Sequence, residues 1–92
     1  MEYQIRFAIL QVEIYKNSKY FLYDVRNALT YLSFSDKYLD LYEKYLKEYQ
    51  ISFEAIEKLI DFAIKYKQYQ TYLILLNYKF ETFETKNNDL IL

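Results

Sequence analysis

Carboxylates that share a helical face are the first place to look for chemistry. Asp36 and Asp40, and separately Glu54, Glu57 and Asp61, recur at three- and four-residue spacing. On helices each set would bring its oxygens to one side, which is the donor chemistry a hard divalent cation needs. Both sets, however, lie among lysines on the polar strips of amphipathic segments, where solvated charge is the expected role. The usual reactive groups are missing. The 92 residues contain no histidine and no cysteine, which removes Ser-His-Asp and Cys-His nucleophiles, imidazole and thiolate metal ligands, and disulfides. They contain no glycine either, so neither a dinucleotide fingerprint nor a phosphate-cradling loop can form. A serine or threonine activated by lysine is formally open, but no spacing singles one out. The expectation is a protein that is not an enzyme and holds no cofactor or metal.

What the chain has instead is aromatic surface: 13 tyrosines and 7 phenylalanines. Tyrosine offers a large contact area at little cost in rotamer entropy, which is why it concentrates at binding hot spots. Tyr20, Tyr23, Tyr31 and Phe34 gather about Asn27 on one side of a helical segment. The opposite side is aliphatic: Phe21, Leu22, Val25, Ala28, Leu29 and Leu32. The aromatic side is the expected partner-binding face. Tyr38, Tyr42, Tyr45 and Tyr49 instead coincide with the apolar arc of the next segment and are expected in the core, their hydroxyls reaching its edge. In the last segment Leu73, Ile74 and Tyr78 are the candidate contacts of a homodimer.

Charge narrows the partner. Lysine and arginine number 12 against 13 acidic residues, so no basic stripe suggests duplex binding. The alternative of a dimeric nucleic-acid-binding regulator would place Arg6, Lys16, Lys19 and Arg26 on phosphates, with tyrosines stacked on unpaired bases. The near-zero net charge ranks it second. The longest apolar runs, Phe7 to Leu10 and Tyr72 to Leu76, are too short to cross a bilayer. Residues 1–15 do not read as a signal peptide, because Glu2, Arg6, Gln11 and Glu13 interrupt them. The expected location is cytoplasmic.

The elements that must position these residues read as all-α, a bundle or short solenoid of about five helices in a single domain spanning 1–84, with 85–92 as a C-terminal tail anchored by little beyond Leu90, Ile91 and Leu92. Over 36–49 the apolar residues share one arc at helical period, with Ser35 as N-cap. The next helix starts after Ser52, with Ile51 and Ile56 placed for a hydrophobic staple, and presents a wide apolar arc of Phe53, Ile56, Leu59, Ile60, Phe62, Ala63, Ile64 and Tyr66. A polar connection over 67–70 leads to a helix over 71–83 that is apolar nearly all round, hence central or at an interface. Residues 19–34 form a further helix. Residues 3–15 have two readings: a helix with stripes Tyr3/Phe7/Leu10/Ile14 and Ile5/Ile9/Val12, or a bulged β-strand that would make the fold α+β. Helix is preferred, because no other segment offers the strand a partner.

A weak repeat sets Tyr45-Leu46-Lys47-Glu48-Tyr49-Gln50-Ile51-Ser52 against Leu75-Leu76-Asn77-Tyr78-Lys79-Phe80-Glu81. The order of small, bulky and polar positions from Leu59 to Leu76 resembles the paired helices of ankyrin-like repeats, with Ala63 at the helix contact and Leu75-Leu76 as the ridge of the second helix. The resemblance covers residues 36–84 at most, and lacks that family's Thr-Pro-Leu-His-like opening and its turn glycines. It implies protein recognition through a helical or loop face and transfers no functional residue.

More than half of the residues are hydrophobic, whereas a chain this short buries only about 60–65% of its unfolded surface. Some apolar area should therefore stay outside or be covered by another chain. The function expected on these grounds is a protein-interaction module, a small adaptor or stoichiometric inhibitor. Phage or mobile-element inhibitors of host defence, anti-CRISPR proteins included, are one setting that suits such a chain. The third reading is a purely structural homo-oligomer.

Overall fold

Helix is the outcome that a chain without glycine or proline interruptions allows almost everywhere. A computed structural model describes residues 1–16, 19 and 21–84. Their order is α1 (Glu2–Ile14), α2 (Phe21–Leu32), a 3₁₀ turn (Asp36–Tyr38), α3 (Leu39–Tyr49), α4 (Phe53–Lys65), α5 (Tyr69–Lys79) and a π-helical turn (Phe80–Glu84). There is no strand among the described residues, so the all-α expectation holds and residues 3–15 are the helix of the two readings. The anticipated tail, 85–92, lies outside the described residues. The chain separates into two compact units, Met1–Gln50 and Ile51–Leu92.

The first unit is built by three helices. Ile5, Ala8 and Val12 of α1, Val25, Ala28, Leu29 and Leu32 of α2, and Tyr42, Tyr45 and Leu46 of α3 are all buried. Each buried leucine or valine contributes about 1.5–3 kcal/mol relative to exposure. Chain direction follows from the contacts at the helix ends. Tyr38 donates a hydrogen bond to Glu2 and Tyr45 donates one to Glu13, so α1 and α3 run the same way. Phe21 meets Tyr49 edge-on at 4.8 Å, so α2 runs opposite to α3. The Ser35 side chain accepts the Lys37 amide hydrogen as expected of a cap, but the turn it opens is 3₁₀ and the α-helix begins only at Leu39. Ser33, buried after α2, is satisfied by donating to the Thr30 carbonyl at 2.7 Å. One expected core residue is not there. Leu22 is exposed, because it sits in the first turn of α2, roughly 70° from the centre of the buried arc.

The second unit is a helix pair. Ser52 caps α4 by accepting the Ala55 amide hydrogen at 3.2 Å, and Ile51 and Ile56, which flank this cap, are both buried. Ala55, Ile56, Leu59, Ile60 and Ala63 form the inward face of α4, and Thr71 and Leu75 that of α5. The pair is antiparallel: the start of α4 meets the end of α5 through Phe53 against Phe83 at 5.3 Å and through the Lys79 ammonium 2.6 Å from Glu57 Oε1. The buried arc of α4 is narrower than its sequence suggests, since Phe53, Ile64 and Tyr66 are exposed. Helix α5 starts at Tyr69 rather than 71, and its all-round apolar character does not make it central, because Leu73 and Phe80 face outward.

Between α4 and α5 the chain reverses without glycine. The Gln68 amide donates to the Ala63 carbonyl at 2.8 Å and the Lys67 amide to the Ile64 carbonyl at 3.2 Å, the two bonds of a Schellman ending. Lys67 stands at the left-handed position with φ 57°.

Candidate functional site

Helix α1 is apolar on two opposite sides, and only one of them is used by its own fold. At 100° per residue, Ile5, Ala8 and Val12 centre on one side, and Tyr3, Phe7, Leu10 and Ile14 centre roughly 160° away. The first set is buried; the second is between 54% and 77% exposed. Four large apolar side chains at spacing 4, 3, 4 form one continuous outward stripe along a helix of 13 residues. Its shoulders are polar, with Arg6 and Glu13 on one side and Gln4 and Gln11 on the other.

Two tyrosines hold this helix in place from one flank. Tyr38 Oη donates to Glu2 Oε1, which the Arg6 Nε at 3.3 Å and the Lys37 ammonium at 3.6 Å also approach. The Tyr38 hydrogen bond is the main reason the Glu2 carboxyl lies below its ordinary range, and the neighbouring cations act in the same direction. At the other end Tyr45 Oη donates to Glu13 Oε1 at 3.1 Å, and Lys16 reaches Glu13 Oε2 at 3.3 Å. The Tyr45 hydrogen bond lowers the Glu13 carboxyl, while burial and then that same contact raise the Tyr45 phenol. The stripe is thereby presented by a helix pinned at both ends.

The face expected to bind a partner is only partly assembled as foreseen. Tyr23 and Asn27 are both exposed and one helical turn apart on the side of α2 opposite its buried arc; Tyr31 and Phe34 are half-buried. Tyr20 lies outside the described residues. The set expected at a homodimer does not form one face. Leu73 is exposed, while Ile74 and Tyr78 are half-buried on another side of α5, where Tyr78 meets Phe83 at 6.2 Å. The outward stripe of α5, continued into the π-helical turn, is instead Tyr69, Leu73 and Phe80 with half-buried Leu76, the same 4, 3, 4 spacing as in α1. Of the basic residues considered for phosphate contact, Arg6 and Lys16 are paired with Glu2 and Glu13, and Lys19 and Arg26 are exposed. The expected core tyrosines divide: Tyr42 and Tyr45 are buried, and Tyr38 and Tyr49 are half-buried.

The α1 stripe was visible in the sequence as one of two helical stripes. Nothing in the residue types told which one faced inward, except that Ala8 beside Ile5 and Val12 suits close helix contact. Among the described residues no group of three acidic side chains could hold a metal ion, and no helix is long and apolar enough to cross a membrane. Compared with protein-family models, with curated proteins and with solved structures, the chain matches none.

Proposed function

We propose that this protein is a non-enzymatic protein–protein interaction module, a cytoplasmic adaptor or stoichiometric inhibitor that binds through outward apolar helix faces. The observation that carries this reading is the α1 stripe: four large apolar residues, each more than half exposed, on a helix whose other side already fills the core. Isolated exposed apolar residues are ordinary on any protein surface, but a contiguous strip with polar shoulders is the anatomy of a binding face. Tyr23 and Asn27 on α2 offer a second, more polar face of the same kind.

Phosphate recognition is less well supported. Arg6 and Lys16 face the α1 carboxylates Glu2 and Glu13, and the chain's net charge is −1.

The test is affinity capture from an extract of the source cells, using the unaltered chain and the Phe7→Glu variant as baits. The variant should keep its helix content, because Phe7 is exposed, and should lose the captured protein. Identical capture by both baits, with Tyr23→Ser equally without effect, would refute binding through either face.

A further inference from the structure

We infer that the α1 stripe is the seat of a second copy of this chain, paired antiparallel about a two-fold axis between Phe7 and Leu10. This rests on reading the stripe as a binding surface and names its occupant. In that register Phe7 of one copy meets Leu10 of the other, and Tyr3 meets Ile14, so each large side chain opposes another.

The shoulders select the orientation. A two-fold axis perpendicular to a pair of antiparallel helices leaves each shoulder on its own side, so like shoulders face each other. Arg6 then approaches Glu13 of the second copy, displaced by about 3 Å along the axis, and the symmetry gives this pair twice. Gln4 approaches Gln11 in the same way on the other shoulder, amide against amide. A parallel pair would turn unlike shoulders together and set Arg6 and Glu13 against glutamines, with no opposite charges matched. Helix α5 has the same stripe spacing, but its shoulders carry Tyr72 and Lys79 on one side and Gln70 and Asn77 on the other, so its self-pairing would match no charges. Complementary charge therefore points to α1.

The groups needed for this are within reach. Arg6 is 71% exposed at its side chain, and its present partner, Glu2, is a surface neighbour one turn away, a type of ion pair that holds a side chain only weakly. Glu13 accepts from Tyr45 and faces Lys16, and a carboxylate has room for a further donor. Because a helix of 13 residues is only about 20 Å long, the contact falls short of the ~800 Å² per partner of a standard interface, so assembly is expected to be weak and to need high protein concentration.

Sedimentation equilibrium of the full chain across micromolar to millimolar concentration tests this. The mass should rise from monomer toward dimer, and Phe7→Glu and Leu10→Lys should each hold it at monomer with unchanged helix content. Orientation is read by cross-linking, for which the absence of cysteine is convenient. A mixture of Gln4→Cys and Gln11→Cys chains should be bridged by a short bis-maleimide, while Gln4→Cys alone, whose two copies lie about 13.5 Å apart along the axis in this register, should not. A monomer throughout, or a dimer indifferent to both stripe variants, would overturn the inference, as would bridging of Gln4→Cys to itself in preference to the mixture. If the chain is monomeric yet Phe7→Glu still loses a captured cellular protein, the second copy is excluded and the stripe remains a binding face. If neither mass nor capture responds, both fall.

Discussion

Tyr45 and Glu13, 32 residues apart in sequence, meet through a hydrogen bond of 3.1 Å in which the phenol donates to Oε1. Tyr42, one turn earlier on α3, is also buried, yet its hydroxyl has no hydrogen-bond partner among the described residues. The same chemical deletion at these two sites should therefore have opposite effects. Tyr45→Phe removes a bond to a charged acceptor and should destabilise by about 1 kcal/mol, whereas Tyr42→Phe relieves a desolvated hydroxyl and should stabilise by about the same amount. Urea midpoints at unchanged slope would show the two variants on either side of the parent. Equal shifts in one direction would contradict the assignment.

Acid should act on the two contacts that pin α1. Glu2 is held below its ordinary range chiefly by the Tyr38 hydrogen bond, and Glu13 by that of Tyr45. A carboxyl depressed in the folded state binds fewer protons there than in the unfolded chain, so its contribution is whole above about pH 4.3 and is lost as pH falls through the folded value. Arg6 and Lys16 are raised, by the Tyr38 and Glu13 hydrogen bonds respectively, so their contribution is present below their ordinary values and is lost only in strong alkali. With no histidine in the chain, stability should be nearly flat from about pH 4.3 up to about pH 10, above which the phenol of Tyr45, raised in the fold, adds a decline of its own. In urea titrations from pH 2 to 8, the Tyr38→Phe/Tyr45→Phe double variant should show a lower plateau and a shallower acid decline. Parallel declines would speak against these contacts.

Lys67 occupies a position that glycine fills in most Schellman endings. A side chain in the left-handed region costs roughly 1–2 kcal/mol, since its Cβ crowds the following carbonyl. Lys67→Gly should therefore stabilise by about 1 kcal/mol and raise the melting temperature by about 5 °C. Gln50, with φ 49° at the end of α3, should respond likewise. An unchanged or lower melting temperature for both would show that the lysine and glutamine side chains compensate the strain.

The two serine caps should differ in worth. Ser52 opens α4, a helix of 13 residues, and Ser52→Ala should cost about 1 kcal/mol. Ser35 opens a 3₁₀ turn of three residues through a longer contact of 3.3 Å, so Ser35→Ala should cost less. Chemical denaturation of both variants settles the order.

The sequence by itself determined the helices and much of their inward faces. Period 3.6 in the apolar residues gave Val25/Ala28/Leu29/Leu32 and Ile56/Leu59/Ile60/Ala63, and the hydroxyls of Ser35 and Ser52 marked where helices begin, because these signals act within one or two turns of the chain. Only the tertiary structure decided between two apolar faces of one helix. In α1 both Ile5/Val12 and Tyr3/Phe7/Leu10/Ile14 satisfy the same periodicity, and α5 is apolar nearly all round, so local pattern leaves their orientation open. What fixes α1 is long-range: its packing on α2, the reach of Tyr38 from the 3₁₀ turn to Glu2 and that of Tyr45 from α3 to Glu13. The two tyrosine contacts join residues more than 30 positions apart, which no local period encodes, and with the packing on α2 they turn one stripe inward and leave the other as the candidate binding face.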